Sequence, residues 1–180
     1  MVGSHAAHRA AEPSAFQPRT AAVAAEGLRY GPKTGFQSFI RRVSRATPME
    51  ILLTEREGVH AQLVKDLSKH MAIPASRMFR ILGIPKATAD KKVAAGDRVA
   101  GQGGQAVIGM VKLLGMAEDM VASSTSDDAK GFDAAKWLGQ WIEAPQPSLG
   151  GRKPAELLDT PTGLEMVVRL LGAIESGAYQ

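Results

Sequence analysis

Cysteine is absent from this chain of 180 residues, and aromatic side chains make up only 5% of it. The lack of cysteine excludes disulfides, thiolate zinc sites and cysteine nucleophiles, and it suits a protein of the reducing cytoplasm. No apolar run approaches the roughly 20 residues of a membrane-spanning helix, and the first residues lack the hydrophobic region of a secretory signal. We therefore expect a cytoplasmic protein with a largely aliphatic core.

The residues that are abundant indicate helices. Hydrophobic residues form 44% of the chain, and alanine, leucine, isoleucine and methionine are plentiful. We expect an all-α protein with three segments. Residues 1–46 form a mostly disordered N-terminal tail, apart from a short amphipathic helix over 36–46. Helical domains follow over 47–122 and 123–180.

The net charge of +4 is distributed unevenly along the chain. Residues 1–46 carry seven basic and two acidic side chains, and residues 65–98 carry eight and three. Residues 99–180 carry six basic and ten acidic side chains. A basic first half joined to an acidic second half indicates two tasks, one of them on phosphate backbones.

The first strong helix signal is Thr47-Pro48-Met49-Glu50. Threonine caps a helix, proline suits its first position, and a glutamate three residues after the cap closes a capping box. This helix should end near Gly58. The segment 59–71 predicts the next helix, because Val59, Leu63, Leu67 and Met71 recur at a spacing of four.

Residues 75–99 predict a helix-turn-helix. A short helix from Pro74 ends at Gly83, and a second, basic helix follows Pro85 over 86–99. The second helix would enter the major groove of DNA, with flanking cations on phosphates. The predicted DNA-binding residues are Arg77, Arg80, Lys86, Thr88, Lys91, Lys92 and Arg98. The alternative is that these side chains form an ordinary solvated face.

Both tryptophans lie in the segment 132–144, which has helical periodicity and is followed by Pro145. Core packing is the simpler interpretation and the preferred one for Trp137. Trp141 could instead anchor an interface, because buried tryptophans are enriched among the residues that dominate binding energies.

No catalytic or metal-binding constellation is visible. Residues 101–106 (GQGGQA) match a degenerate dinucleotide-binding pattern, but a basic helical segment precedes them instead of a buried strand. His5 and His8 provide too few ligands for a metal site. The chain also lacks a convincing Ser/His/Asp set. We therefore expect no enzyme activity, no metal and no cofactor.

The segment 148–177 predicts a rigid corner between helices. Gly150-Gly151 indicates a sharp turn, and Pro154 suits the start of a short helix through Leu158. Thr160-Pro161 caps a second helix, whose inward face is expected to carry Leu164, Val167, Val168, Leu171 and Ile174. Gly177 should end that helix and leave a short tail.

These residues resemble the toxin-binding domain of the Xre/MbcA/ParS antitoxins. The similarity is carried by Trp137-Leu138, Leu149-Gly150-Gly151, Pro154, Leu157-Leu158, Thr160, Gly163, Val167 and Gly177-Ala178-Tyr179. Upstream, LGIPKATADKK (82–92) is similar to the family's recognition segment. Lys153 departs from the threonine often found there, and Ala89-Asp90 departs from an apolar residue followed by arginine.

The resemblance implies an antitoxin that binds a RES-domain toxin, an enzyme that destroys NAD, and covers its active site. It also implies a homodimer that binds operator DNA and represses its own operon. The toxin-binding residues would be Leu149, Gly150, Gly151, Arg152, Pro154, Thr160, Gly163, Gly177 and Tyr179. The alternative is a simple helix-turn-helix repressor whose C-terminal domain only mediates dimerisation.

Overall fold

The computed structural model describes residues 26–31, 33–124 and 130–177. The helices in these ranges are α1 (Phe36–Ser44), α2 (Pro48–Glu57), α3 (Gln62–His70), α4 (Ala75–Ile81), α5 (Lys86–Ala95), α6 (Gly101–Ser123), α7 (Ala134–Ile142) and α8 (Pro161–Glu175). Short 3-10 helices occupy Pro147–Leu149 and Pro154–Glu156. The all-α fold class is confirmed, and no helix in the described ranges has the length and apolarity to span a membrane.

Two short strands replace predicted helix ends. Strand β1 (Val59–His60) pairs antiparallel with β2 (Arg98–Val99), so helices predicted over 59–71 and 86–99 are wrong at those ends. Gly96 ends α5 with φ 64°, and the backbone N–H of Asp97 bonds to the carbonyl of Lys92 at 2.8 Å. The β-branched Val59 and Val99 are then buried opposite each other.

Helix α6 is the centre of the core. Helices α1, α2, α7 and α8 all pack against it, and all its apolar residues from Ala106 to Leu114 are buried. Gly109 allows α8 to approach closely, because a Cβ there would lie 2.4 Å from Cδ2 of Leu164 on α8. A helix that is apolar on several sides needs neighbours on several sides, which explains the surrounding arrangement.

The end of the predicted N-terminal tail belongs to the core. The amphipathic helix expected over 36–46 is present as α1, with Phe39 and Ile40 fully buried. Leu28 and Tyr30, in the extended segment before it, are also buried. The disorder predicted for 1–46 is therefore wrong for its described end. Leu28 and Tyr30 lie in an extended stretch, which shows no helical periodicity in the sequence. Residues 1–25 lie outside the described ranges.

One hydrophobic cluster spans both predicted domains and α1. Helix α7 approaches the turn after α3 so closely that a Cβ on Gly139 would lie 2.1 Å from the carbonyl oxygen of Met71. The boundary proposed near 122–123 thus falls at the end of α6, and the residues before and after it contribute to the same hydrophobic core. The domain limits stay a prediction.

Candidate functional site

The predicted helix-turn-helix corresponds to α4, a turn at 82–85, and α5. The backbone N–H of Ile84 bonds to the carbonyl of Phe79 at 2.8 Å, which closes the turn. Ala89 is buried and packs α5 against the core. The difference from the family segment at this position therefore lies on the face of α5 that is turned away from solvent. Thr88 and Lys91 are exposed on α5, and they share one face of the helix.

Two of the predicted DNA-binding cations, Lys92 and Arg98, bind groups near the two strands. The Lys92 ammonium donates to Asp97 Oδ2 at 2.8 Å and to the carbonyl of Arg98 at 2.7 Å. The first of these bonds holds the pKa of Asp97 below its usual value. The Arg98 guanidinium donates to the carbonyl of Gly58 at 3.2 Å. Lys92 and Arg98 therefore close the β1–β2 junction.

Arg77 joins α4 to α7. Its guanidinium donates to the Glu143 carboxylate twice, from Nε to Oε1 at 2.6 Å and from Nη2 to Oε2 at 2.9 Å. Lys153 approaches the same carboxylate at 3.8 Å. The hydrogen bonds from Arg77 hold the pKa of Glu143 below its usual value, against an opposing effect of burial. In this structure Arg77 links the two predicted domains and does not extend into solvent as a free phosphate contact.

The remaining predicted DNA contacts are exposed. Lys86 forms an ion pair with Asp90 at 3.2 Å, one turn along α5, and such exposed pairs contribute little to stability. Arg80 and Lys91 take part in none of the ion pairs within the described ranges. The outer surface of α4 and α5 thus presents Arg80, Lys86, Thr88 and Lys91.

The corner after α7 is organised around Gln146, a residue that sequence analysis missed. Its carbonyl accepts the backbone N–H groups of Leu149 and Gly151, each at 3.0 Å, and its own N–H donates to the carbonyl of Arg152 at 3.0 Å. Its buried side chain donates to the carbonyls of Trp141 and Ala144. The available signal was a glutamine between two prolines, Pro145 and Pro147.

Gly150 and Gly151 supply the backbone conformation of this corner. Their φ angles are 65° and 79°, the left-handed conformation that glycine adopts readily, and the sharp turn predicted here is present. No described atom would lie within 4 Å of a Cβ at either position, so tight packing is not their role. The result is an exposed lobe, Leu149–Arg152, with Leu149 half-buried and the other three residues exposed.

The next three predicted toxin-binding residues shape the corner. Pro154 is buried and begins a 3-10 helix of three residues, shorter than the helix expected through Leu158. The Thr160 hydroxyl caps α8 by accepting the N–H of Gly163 at 3.1 Å. A Cβ on Gly163 would lie 2.0 Å from the carbonyl oxygen of Leu157. Pro154 and Gly163 therefore act through the backbone, since neither presents an exposed side chain.

Helix α8 ends as predicted. Its last residue is Glu175, and Gly177 follows with φ 69°. Of the predicted inward residues, Val167 and Leu171 are buried, whereas Leu164, Val168 and Ile174 are half-buried. Leu170 is buried as well and was missed. Tyr179 lies outside the described residues.

Comparison with known proteins identifies this corner. Residues 131–177 match the family described as the antitoxin Xre/MbcA/ParS C-terminal toxin-binding domain. The Prs ADP-ribosylating antitoxin of Sphingobium sp. (strain YBL2) is 38% identical over 135 residues, which cover 75% of this chain and 84% of that protein. The chain belongs to the Xre/MbcA/ParS antitoxin family.

A second relative of this antitoxin is more distant. Antitoxin Xre of Yersinia enterocolitica serotype O:8 / biotype 1B is 25% identical over 122 residues, covering 68% of this chain and 76% of that protein. Both relatives are named as antitoxins. The matched domain begins at Gly131 and ends at Gly177, so it contains the whole corner, α7 and α8.

The toxin-binding domain of the antitoxin also carries a row of three aromatic rings. The centroids of Phe132 and Trp137 are 6.2 Å apart, and those of Trp137 and Trp141 are 6.0 Å apart and nearly parallel. Both tryptophans are half-buried and pack partly against the core. Core packing therefore accounts for the buried part of each side chain and not for the exposed part. Phe132 is 44% exposed. Rigid aromatic rings with one free face are well suited to an interface.

Proposed function

We propose that this antitoxin neutralises a RES-domain toxin that destroys NAD by covering its active site with the toxin-binding domain. The main observation in support is the exposed lobe Leu149–Arg152, which hydrogen bonds hold in place inside the domain that matches the family. We propose in addition that the antitoxin represses its own operon as a homodimer, through α4 and α5.

The lobe suits binding because it is already ordered. Gln146 ties both ends of the loop together through its backbone, and the two glycines set the turn. A loop fixed before binding loses little conformational entropy on association, which favours affinity. Leu149 offers an apolar tip and Arg152 an exposed cation. These two side chains, rather than Pro154 or Gly163, are the proposed direct contacts of the corner.

The aromatic row extends the proposed toxin surface. Phe132 and Trp141 belong to the matched domain, and each has an exposed or half-exposed ring. Binding energy concentrates in a few such residues. The tail after Gly177, with Tyr179, is proposed from the family resemblance to reach the active site of the toxin.

The name of the Sphingobium relative supports a second form of toxin chemistry. It refers to ADP-ribosylation of Prs, and the alternative proposal is that the partner of this antitoxin transfers ADP-ribose to a protein instead of to water or phosphate. Each of these reactions breaks the bond between nicotinamide and ribose and releases nicotinamide. The acceptor therefore distinguishes them: a labelled protein appears only in the transfer reaction.

The test uses the full-length antitoxin and the product of the gene beside its own. We expect the two proteins to co-purify, and we expect the antitoxin to suppress nicotinamide release by the toxin. A Trp141→Ala variant, and separately a chain truncated after Ser176, should bind at least tenfold more weakly, a loss of about 1.4 kcal/mol. Lys136→Gln, which alters an exposed ion pair with Asp133, is the matched control.

The absence of a complex together with unchanged nicotinamide release would contradict the toxin assignment. Full inhibition by both the Trp141→Ala variant and the truncated chain would leave that assignment standing, but it would show that neither the aromatic row nor the tail contacts the toxin. Repression of the promoter without any toxin complex would favour the simple repressor.

A further inference from the structure

Helix α1 has two faces with different partners. Phe39, Ile40 and Val43 lie on the inward face and are buried. The outward face carries Ser38, Arg41, Arg42 and Arg45, all exposed, at spacings of three and four that place them side by side. Three guanidinium groups therefore share one exposed surface that sequence analysis assigned to a tail.

This surface is concave. Arg41, Arg42 and Arg45 line an open depression of about 430 Å³ together with Leu28, Ser38, Ala46 and Glu50. None of the ion pairs in the described ranges involves the three arginines. Among the described residues, one side-chain hydrogen bond is found for them, from Arg41 Nη2 to Ser38 Oγ at 3.5 Å. The three guanidinium groups are consequently held in no ion pair by any residue that the structure describes.

Two carboxylates lie near the arginines, and both have other interactions. Oε2 of Glu50 accepts the backbone N–H of Thr47 at 2.7 Å and the Thr47 hydroxyl at 2.8 Å, in the capping box of α2. These hydrogen bonds lower the pKa of Glu50, with a smaller contribution from the charge of Arg42. Burial raises the pKa of Glu118 above its usual value, and the charge of Arg41 opposes this effect.

We propose that this depression binds phosphodiester groups of DNA, so that α1 is a second DNA-contacting element besides α5. Arginine guanidinium groups match phosphate oxygens in charge and in the geometry of their paired donors. An open, shallow depression suits a continuous strand better than an enclosed metabolite. The proposal rests on the proposed binding of operator DNA, and it assigns phosphate contacts to residues outside the helix-turn-helix.

A membrane surface would also attract arginines, but α1 lacks the second requirement. Helices that lie on a bilayer insert an apolar face into it. The apolar face of α1 is buried against α6, and what remains exposed is polar and basic. Phosphates in a nucleic acid backbone, which are contacted without apolar insertion, are the better match.

The test measures affinity of the full-length antitoxin for two duplexes at several salt concentrations. One duplex carries the promoter of its operon and the other the same bases in scrambled order. We expect Arg41→Gln/Arg45→Gln to weaken binding to both duplexes about tenfold or more. The slope of log affinity against log salt should become shallower by about 1.8, or about 0.9 per lost phosphate contact. Arg42→Gln alone should lower the slope by about 0.9.

The control removes equal charge elsewhere. Lys136→Gln/Arg169→Gln alters two exposed residues of the toxin-binding domain, each paired with a neighbour on its own helix or cap. It should leave the salt slope unchanged. Melting temperatures of all variants should match the wild-type value, because the altered side chains are exposed.

The outcomes separate this proposal from the repressor proposal. If the α1 variants behave like the control while Lys91→Gln still weakens promoter binding, the α1 site is wrong and repression stands. If promoter and scrambled DNA bind equally, and only the α1 variants weaken both, specific repression is wrong and the α1 site stands. A wild-type chain that binds neither duplex would overturn both. Loss of toxin affinity alone in the α1 variants would make α1 a toxin contact and overturn the DNA site.

Discussion

The corner at 146–163 and the helix pair α4–α5 are stabilised by different kinds of interaction. The corner depends on backbone: hydrogen bonds to Gln146, two positive φ angles and one glycine in contact with a carbonyl. The surroundings of α4 and α5 depend on charged side chains, with Arg77, Lys92 and Arg98 bound to groups on neighbouring elements. Backbone geometry restricts which amino acids a position accepts, so it leaves a trace in the sequence. A charged residue is the same amino acid whether it is paired or free, so the sequence alone does not show its pairing.

The largest effect should follow from disturbing the corner. Replacing Gly150 and Gly151 by valine forces β-branched residues into positive φ, at about 1–2 kcal/mol for each residue. We expect the free energy of unfolding to fall by about 2–4 kcal/mol, as measured by urea denaturation, and toxin affinity to fall with it. The pair Gly150→Asn/Gly151→Asn should lose less, because asparagine tolerates this conformation. Equal loss in the two pairs would contradict a conformational role.

Gly163 tests close packing instead of backbone conformation. Gly163→Ala would place a Cβ 2.0 Å from the carbonyl oxygen of Leu157, and overpacking of this kind costs about 1–3 kcal/mol. Gly172 on the same helix has open space where a methyl group would stand, with no described atom within 4 Å. Gly172→Ala should therefore stabilise α8 by about 0.4–1 kcal/mol. The measurement is urea unfolding of the two variants, and effects of the same sign would refute the packing argument.

The two regions also differ in how far sequence could predict them. The cap at Thr160, the end of α8 at Gly177 and the turn at Gly150-Gly151 were all predicted, because capping and turn chemistry depend on residues close in sequence. The role of Arg77 was not, because its partner Glu143 is 66 positions away. Leu28 and Tyr30 were missed for the same reason, since an extended segment buries them only through tertiary contacts.

The Arg77–Glu143 pair, which joins the two regions, should show a pH dependence. The pKa of Glu143 is lowered in the folded state, so the pair stabilises the protein above the unfolded pKa of about 4.3. That contribution is lost as pH falls below this value through the folded pKa. Glu143→Gln should lower stability at pH 7 by about 1 kcal/mol, since the pair is roughly two-thirds buried. Stability measured from pH 7 to pH 3 should then fall less in the variant.

Glu165 provides the matched comparison for that experiment. Its ion pair with Arg169 at 3.7 Å is almost fully exposed, and such pairs contribute little. Glu165→Gln should leave both the stability at neutral pH and the acid dependence unchanged. If Glu143→Gln behaves in the same way, Arg77 is not a link between the regions and returns to the set of free phosphate contacts.

The smallest stability effects should distinguish two neighbouring lysines on α5. Lys92 donates to Asp97 and to the Arg98 carbonyl, so Lys92→Ala should cost about 0.5–1 kcal/mol in urea unfolding. Lys91 is exposed and takes part in none of the ion pairs within the described ranges. Lys91→Ala should leave stability unchanged but weaken operator binding and lower its salt slope by about 0.9. Neutralisation of the toxin should be intact in both variants, because α5 lies outside the toxin-binding domain. If operator affinity depends on Lys92 and not on Lys91, the prediction is wrong. Lys92 would then exchange its bonds to Asp97 and Arg98 for a bond to DNA, and the pairing seen without DNA would not identify the contact.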